Sequence, residues 1–288
     1  MDTLSRTIEA NGLRFAIDEA GSGDKVALLL HGFPESRLCW REQLPALARL
    51  GWRAVAVDMR GYGGSSRPAT RDAYRIDRLI EDVAALFDAL GARRRLLIGH
   101  DWGGIIAWAT AIRRACRLDG LIVLNAPHPA VFAHVIRRSW RQRLRSWYVL
   151  FFVLPWLPER VLTAHHARKV GQALRGTASR QGVFPAEVLA LYRDNSAQPG
   201  AMTAMLNYYR ANLDIGAMAK GPGVDTPTLL LWGDRDHALG QELVPGTEAY
   251  VPDLTVQMLS GVSHWVPEEA PHQVNDAVAE WLRGKGLA

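Results

Sequence analysis

Three side chains in this sequence have the types and the order needed for nucleophilic catalysis. Asp101 is the centre of Gly99-His100-Asp101-Trp102-Gly103, the pattern of a nucleophile elbow, in which flanking small residues permit a tight strand-to-helix turn. Asp236 and His264 follow later apolar runs, so the chain order is nucleophile, acid, histidine. The alternative, in which Asp101 only caps a helix, leaves the other two residues unexplained.

The residue type at the elbow indicates the chemistry. A serine there would attack an acyl carbon, whereas an aspartate suits attack on an sp³ carbon that bears a leaving group. The product of that attack is an ester of the enzyme's own carboxylate, so the candidate substrates are strained epoxides and alkyl halides. A halide leaves as an anion, but an opening epoxide yields an alkoxide that needs a proton, and a tyrosine hydroxyl can supply it.

Two tyrosines on apolar stripes of a helical region are candidates for that proton donor. Tyr148 lies near Phe151 in one stripe, and Tyr209 lies near Met205 in the other. Because their neighbours are apolar, we expect both rings to face inward. The alternative is that one of them is a packing tyrosine whose hydroxyl bonds to the backbone, with Tyr208 as the substitute for Tyr209.

Short apolar runs must position these residues. The N-terminal segment predicts a hairpin, Ser5–Ala10 and Leu13–Glu19, around an Asn-Gly turn. Further predicted strands are Val26–Leu30, Ala54–Val57, Leu96–Ile98, Leu121–Leu124, Thr228–Trp232 and Val256–Leu259. Helical stretches separate them, which is typical of an α/β protein whose mostly parallel sheet is covered on both faces. Ligands bind beyond the carboxyl ends of such strands, where the three catalytic candidates lie.

Residues 127–216 depart from this alternation and show helical periodicity. One stripe is Val131, Ile136, Trp140, Leu144, Tyr148 and Phe151 or Phe152; a second is Met202, Met205, Leu206, Tyr209 and Leu213. We interpret the segment as a helical lid inserted into a core domain formed by residues 1–126 and 217–288.

Composition excludes several classes of protein. The 288 residues carry a formal charge of +5, and 48% are hydrophobic, as in a globular chain. The only cysteines, Cys39 and Cys116, exclude a disulfide framework and fit a cytoplasmic location. We expect no secretory signal and no integral membrane segment, because the longest apolar run, 147–157, is too short.

One arginine-rich patch stands out in the lid: Arg137, Arg138, Arg141, Arg143 and Arg145. A solvated helix face is the simpler explanation, and an anionic surface partner is the alternative. Nothing indicates a nucleic-acid partner, a metal cluster or a phosphate-binding loop. His31 and His100 are expected to brace loops near the site.

Several motifs together resemble the epoxide hydrolases of the α/β-hydrolase fold over nearly the whole chain. They are His31-Gly32-Phe33-Pro34, Val57-Asp58-Met59-Arg60-Gly61-Tyr62-Gly63, the elbow, Leu206-Asn207-Tyr208-Tyr209-Arg210 and Ser263-His264-Trp265. The first two recur across the fold, whereas the Asp-Trp elbow narrows the field to epoxide hydrolases and haloalkane dehalogenases. The lid tyrosines favour the former.

The resemblance implies roles for individual residues. The acid is Asp236, three residues after Gly233, in preference to Asp234, and Tyr148 and Tyr209 open the ring. The backbone N–H groups of Phe33 and Trp102 form the oxyanion hole. The substrate pocket is expected to be lined by Trp102, Phe33, Trp147, Phe151 and Met205, although the last three positions also suit packing inside the lid.

The sequence therefore predicts a cofactor-independent, metal-free epoxide hydrolase that acts on an apolar epoxide and water. A dehalogenase with the same triad is the first alternative, disfavoured by Phe33 and Trp102, where dehalogenases often have Asn and Arg. A non-enzymatic binding protein on the same fold is the second. Monomer and homodimer both remain open.

Overall fold

The core of the molecule is one eight-stranded sheet, seen in a computed structural model that describes residues 3–288. The strands are β1 (Leu4–Ala10), β2 (Leu13–Ala20), β3 (Lys25–Leu30), β4 (Arg53–Val57), β5 (Arg94–His100), β6 (Gly120–Leu124), β7 (Thr228–Gly233) and β8 (Leu254–Leu259). Their spatial order is β1-β2-β4-β3-β5-β6-β7-β8, and β2 runs antiparallel to both of its neighbours. Every predicted strand is confirmed.

Helices and short 3₁₀ turns connect the strands. The helices before the lid are α1 (Gln43–Arg49), α2 (Ile76–Ala89) and α3 (Trp102–Ile112). Between β6 and β7 come α4 (Pro129–Arg138), α5 (Trp140–Arg145), α6 (Trp147–Phe152), α7 (Leu157–Thr177), α8 (Ala186–Ala197), α9 (Ala201–Arg210) and α10 (Ile215–Met218). After β8 come α11 (Val266–Glu269) and α12 (Pro271–Gly284). The 3₁₀ turns are Arg37–Trp40, Arg71–Tyr74, Gln241–Leu243 and Thr247–Ala249.

Both faces of the central strands are buried, as their continuous apolar runs predict. In β3, Leu28 packs into the core that includes α2 and α3, whereas Leu29 packs into the core that includes α1 and α12. Successive side chains of a strand point to opposite faces, so a strand covered on both sides needs apolar residues throughout. The fold is an α/β sandwich, and the carboxyl ends of its parallel strands face the lid helices.

The lid differs from the sequence prediction in two respects. The stripe from Val131 to Phe152 does not form one inward-facing helix, because Ser139 has extended backbone angles (φ −92°, ψ 108°) that separate α4 from α5. Trp140 and Leu144, which belong to that stripe, are exposed. The second stripe is buried along α9, but Leu213 lies beyond its end and is exposed.

Within residues 3–288, no helix combines the length and the apolar composition needed to cross a bilayer.

Candidate active site

The elbow between β5 and α3 holds Asp101 in an unusual backbone conformation. Its φ of 50° and ψ of −118° lie outside the helical region, and its side chain makes no capping hydrogen bond. Two glycines permit the turn, because a Cβ on Gly103 would overlap the carbonyl oxygen of Leu30, and a Cβ on Gly99 would overlap that of Gly103. Strain of this kind persists where the surrounding structure enforces it, commonly at functional sites. The capping interpretation of Asp101 is therefore wrong.

The Asp101 carboxylate lies between a backbone donor and a histidine. Its Oδ1 accepts a hydrogen bond of 2.8 Å from the N–H of Phe33, and its Oδ2 lies 3.5 Å from Nε2 of His264. Burial alone would raise the pKa of Asp101, but the hydrogen bond and charge of His264 lower the pKa below its ordinary value. The carboxylate is consequently ionised at neutral pH.

His264 is held from its other side by Asp236. Nδ1 of His264 lies 2.6 Å from Oδ2 of Asp236. Burial opposes a charge on the ring, but Asp236 and Asp101 outweigh it and raise the pKa of His264 well above its ordinary value. Asp236 itself accepts hydrogen bonds from the N–H groups of Ala238 and Leu239 at 2.7 and 2.8 Å, which fix its orientation.

The geometry separates the two candidate acids. Asp234 accepts a hydrogen bond of 2.7 Å from the N–H of Gly261 and so braces a neighbouring loop, whereas Asp236 contacts His264.

Sequence reasoning missed the part played by Asn125, at the end of β6. Its amide donates to Asp236 at 2.7 Å, and its carbonyl accepts from the N–H of Gly233 at 2.8 Å. The only signal in the sequence was a polar residue directly after a buried strand.

Tyr148 of α6 and Tyr209 of α9 both line a cavity that contains Asp101. Their ring centroids lie 6.4 Å apart with the rings nearly perpendicular, and the ring of Tyr209 packs edge-on against Trp102 at 5.1 Å. Burial and the charge of Asp101 raise the pKa of both hydroxyl groups above the ordinary value. Both tyrosines are therefore protonated at neutral pH and can act as hydrogen-bond donors to a ligand.

Tyr208 is placed differently. Its hydroxyl donates a hydrogen bond of 2.8 Å to the carbonyl of Arg60, and the whole side chain is buried. Tyr208 is therefore a packing tyrosine, whereas Tyr209 lines the cavity.

The chain is similar to several known proteins over nearly its whole length. The sequence profile of the α/β-hydrolase fold matches residues 26–271. Epoxide hydrolase 4 of Homo sapiens is 39% identical over 282 residues, which cover 96% of this chain and 77% of the human protein. The AB hydrolase superfamily protein YfhM of Bacillus subtilis is 37% identical, with 96% and 97% coverage.

A solved structure is also similar. An epoxide hydrolase from Bacillus megaterium, crystallised as a mutant in complex with its product (R)-3-[1]naphthyloxy-propane-1,2-diol, has a TM-score of 0.89 and 28% identity. The alignment covers 96% of this chain and all of that one. This chain belongs to the epoxide-hydrolase family of the α/β-hydrolase fold. As a member of this family it is a hydrolytic enzyme.

The cavity of this family member is mostly apolar. Trp102 lines it as expected, together with residues that sequence reasoning missed: Ile105, Phe132, Val149, Leu213, Ile215 and Leu239. These residues come from five separate segments of the chain, so local sequence patterns carried little signal for them.

Four residues expected to line the pocket lie elsewhere. Trp147 is 64% exposed on the outer surface of the lid, because Tyr148 and Val149 take the inward positions of α6. Met205 is fully buried within the packed lid, and Phe151 packs beside Phe152. The ring of Phe33 packs against Phe152 and Tyr209, and its contribution to the site is its backbone N–H. For Trp147, Phe151, Met205 and the side chain of Phe33 the prediction of a cavity position is wrong.

The backbone N–H of Trp102 and two neighbouring histidines complete the surroundings of Asp101. Trp102 is the first residue of α3, so its N–H has no acceptor within that helix and lies next to Asp101. His100 lies 2.9 Å from a Glu35 carboxylate oxygen and 2.8 Å from the carbonyl of His264, and His31 accepts from the N–H of Met59. Both histidines brace loops around the site, as expected.

Proposed function

We propose that this enzyme converts an apolar epoxide into a vicinal diol through a covalent ester on Asp101. The observation that carries the proposal is one mostly apolar cavity lined by Asp101 together with Tyr148 and Tyr209. The lowered pKa of Asp101 and the raised pKa of each tyrosine favour a carboxylate and two hydroxyl donors there. A nucleophile and two acids on opposite sides of a bound ring match the needs of epoxide opening.

In the first step, Oδ2 of Asp101 attacks one carbon of the epoxide. The carbon–oxygen bond breaks, and its electron pair moves onto the ring oxygen, where the hydroxyls of Tyr148 and Tyr209 donate hydrogen bonds. One tyrosine transfers its proton to this oxygen. Oδ1 becomes the carbonyl oxygen of the ester, and it already accepts a hydrogen bond from Phe33.

In the second step, His264 first releases the proton that it holds at rest, which restores the tyrosine. It then removes a proton from water, which attacks the carboxyl carbon of Asp101. Esterification removes the negative charge that helped to hold the proton on His264, so the pKa of the ring falls and the ring can act as a base. The N–H groups of Phe33 and Trp102 stabilise the oxyanion at Oδ1. As the intermediate collapses, the diol oxygen takes the proton from His264, and the second proton of the water, left on the Asp101 carboxyl, returns His264 to its resting protonated state.

A panel of apolar epoxides and haloalkanes tests this proposal. Diol release from epoxides, with little or no halide release, is the expected result, because the two tyrosines serve a leaving oxygen and not a leaving halide. The Asp101→Ala variant is the control and should lose activity on every substrate. Halide release by the wild type with no diol formation would instead establish a dehalogenase.

A further inference from the structure

A row of exposed apolar side chains runs along the outer surface of the lid. Its members, here called the lid stripe, are Trp140, Leu144, Trp147, Leu150 and Leu154, and their exposed fractions range from 43% for Leu154 to 73% for Leu150. Single exposed apolar residues are ordinary, but a contiguous apolar patch marks a surface that contacts something else.

The members of the lid stripe recur at helical spacing along α5, α6 and the turn that follows α6. Their spacing is four, three, three and four residues, which is the period of one side of a helix. Ser146 joins α5 to α6 through a hydrogen-bonded turn, since its N–H donates to Gln142 at 2.9 Å and its carbonyl accepts from Val149 at 3.1 Å. Gln142 is buried on the opposite face, where Tyr148 and Val149 line the cavity.

Arginines flank the lid stripe, and few nearby carboxylates neutralise their charge. The segment from Gly120 to Pro158 contains no Asp or Glu, but it contains Arg137, Arg138, Arg141, Arg143 and Arg145. In the part of the chain that the structure describes, only Arg145 of these five pairs with a carboxylate, that of Glu242 at 3.4 Å. The guanidinium of Arg141 lies over the ring of Trp140 at 5.7 Å, so charge and apolar surface are adjacent.

Exposed apolar side chains beside arginines favour one of the partners that could cover the lid stripe. A second copy of the chain, docked through the same patch, would bring the two sets of arginines face to face. An anionic bilayer accommodates both features, because tryptophans and leucines enter the interfacial region while arginines contact phosphates. We propose that the lid stripe and its arginines dock this protein on the surface of an anionic phospholipid bilayer.

Vesicle flotation with the full-length wild-type protein tests the proposal. The protein should float with vesicles that mix phosphatidylcholine with phosphatidylglycerol, and it should remain behind with vesicles of phosphatidylcholine alone. Added salt should weaken the binding, because exposed charges are screened. The assay needs no epoxide, so its outcome is independent of the catalytic proposal.

Two pairs of substitutions separate the apolar and the electrostatic contributions. Trp140→Ser with Leu150→Ser should weaken vesicle binding by about tenfold or more, because less apolar surface enters the interface. Arg138→Glu with Arg141→Glu should weaken it by about thirtyfold or more. Hydrolysis of a water-soluble substrate in the absence of vesicles should stay at the wild-type rate in both variants, which shows that the fold is intact.

Matched changes elsewhere on the surface serve as controls. Val256 and Met258 are exposed on β8, and Arg71 and Arg93 are exposed outside residues 127–216. Val256→Ser with Met258→Ser, and Arg71→Glu with Arg93→Glu, should leave vesicle binding nearly unchanged.

Three results would overturn the proposal. The first is a wild-type protein that does not bind the anionic vesicles. The second is lid variants that bind the vesicles as well as the wild type does. The third is control variants that lose as much vesicle binding as the lid variants. A dimer in sedimentation experiments that disappears in the Trp140→Ser/Leu150→Ser variant, with no vesicle binding by the wild type, would assign the stripe to a second copy.

Discussion

At the residue scale, the charges of Asp101, His264 and Asp236 are mutually dependent. Both carboxylates have lowered pKa values and His264 has a raised one, in spite of burial, which acts against all three charges. The resting arrangement therefore favours an ionised nucleophile and a protonated histidine. In the proposed reaction, forming the ester is the event that turns His264 into a base, which orders the two steps.

Replacing His264 should separate those steps. His264→Gln should still form the ester, because attack by a carboxylate needs no base, but it should hydrolyse the ester slowly. Intact-protein mass spectrometry should then show an adduct with the mass of one epoxide. Asp101→Ala is the matched control and should never acquire the adduct; a His264→Gln enzyme with wild-type turnover would contradict the assigned role.

The two cavity tyrosines should each contribute to ring opening. Removing one donor to a developing oxyanion typically costs about 3 kcal/mol, roughly a hundredfold in rate. Tyr148→Phe and Tyr209→Phe should each slow alkylation by about this factor in single-turnover experiments, and the double variant should nearly stop it.

The neighbouring tyrosine provides the control. Tyr208→Phe removes the hydrogen bond to Arg60 and should lower stability by about 1 kcal/mol with little effect on alkylation. Equal kinetic losses in Tyr208→Phe and Tyr209→Phe would show that the cavity position alone does not identify the donor.

At the scale of elements, the site depends on how closely β3, β5 and α3 approach one another. Gly103→Ala would place a methyl group on the carbonyl of Leu30, at the point where α3 crosses the end of β3. The free energy of unfolding should fall by about 3 kcal/mol or more, because neither backbone can give way without moving the elbow. Chemical denaturation measures this change.

Gly176, inside α7, provides the control for the substitution at Gly103. A Cβ at this position meets no atom within 4 Å, so Gly176→Ala should raise the free energy of unfolding by about 0.5–1 kcal/mol. If Gly103→Ala were as well tolerated as Gly176→Ala, the close packing inferred at the elbow would be incorrect.

At the scale of the whole molecule, a buried acid joins the lid to the core. Glu268 of α11 accepts a hydrogen bond from the hydroxyl of Tyr192, on α8 of the lid, and pairs with Arg41 of the core. Burial raises the pKa of Glu268 from 4.5 to about 7, although Arg41 acts in the opposite direction. Folding therefore favours protonated Glu268, and this contribution to stability is complete below pH 4.5 and is lost as the pH rises through about 7.

Glu268→Gln should remove that pH dependence. Between pH 4.5 and pH 8 the wild type should lose about 3 kcal/mol of stability relative to the variant. Burial lowers the pKa of His128 to about 4, so His128 makes both proteins more stable as the pH rises. The effect of Glu268 is therefore measured as the difference in the free energy of unfolding between the wild type and the variant. Parallel stability curves for the two proteins would contradict a raised pKa at Glu268.

The sequence by itself determined the strands, the elbow and the order of the triad. These features are local: apolar runs predict buried strands, Asn-Gly predicts a hairpin, and glycines around Asp101 predict a tight turn. Because parallel strands present their carboxyl ends on one edge, the residues after β5, β7 and β8 had to meet there. The positions of the three catalytic candidates therefore follow from local patterns and the geometry of a parallel sheet.

Only the tertiary structure decided which side chains of the lid face the cavity. Tyr208 and Tyr209 are adjacent and about 100° apart around a helix, so packing against Trp102 and Arg60 assigns their different places. The break at Ser139 likewise left Trp140 and Leu144 of an apparently inward stripe exposed to solvent. Helical periodicity identifies an apolar face but not what covers it, since that depends on contacts between segments distant in sequence.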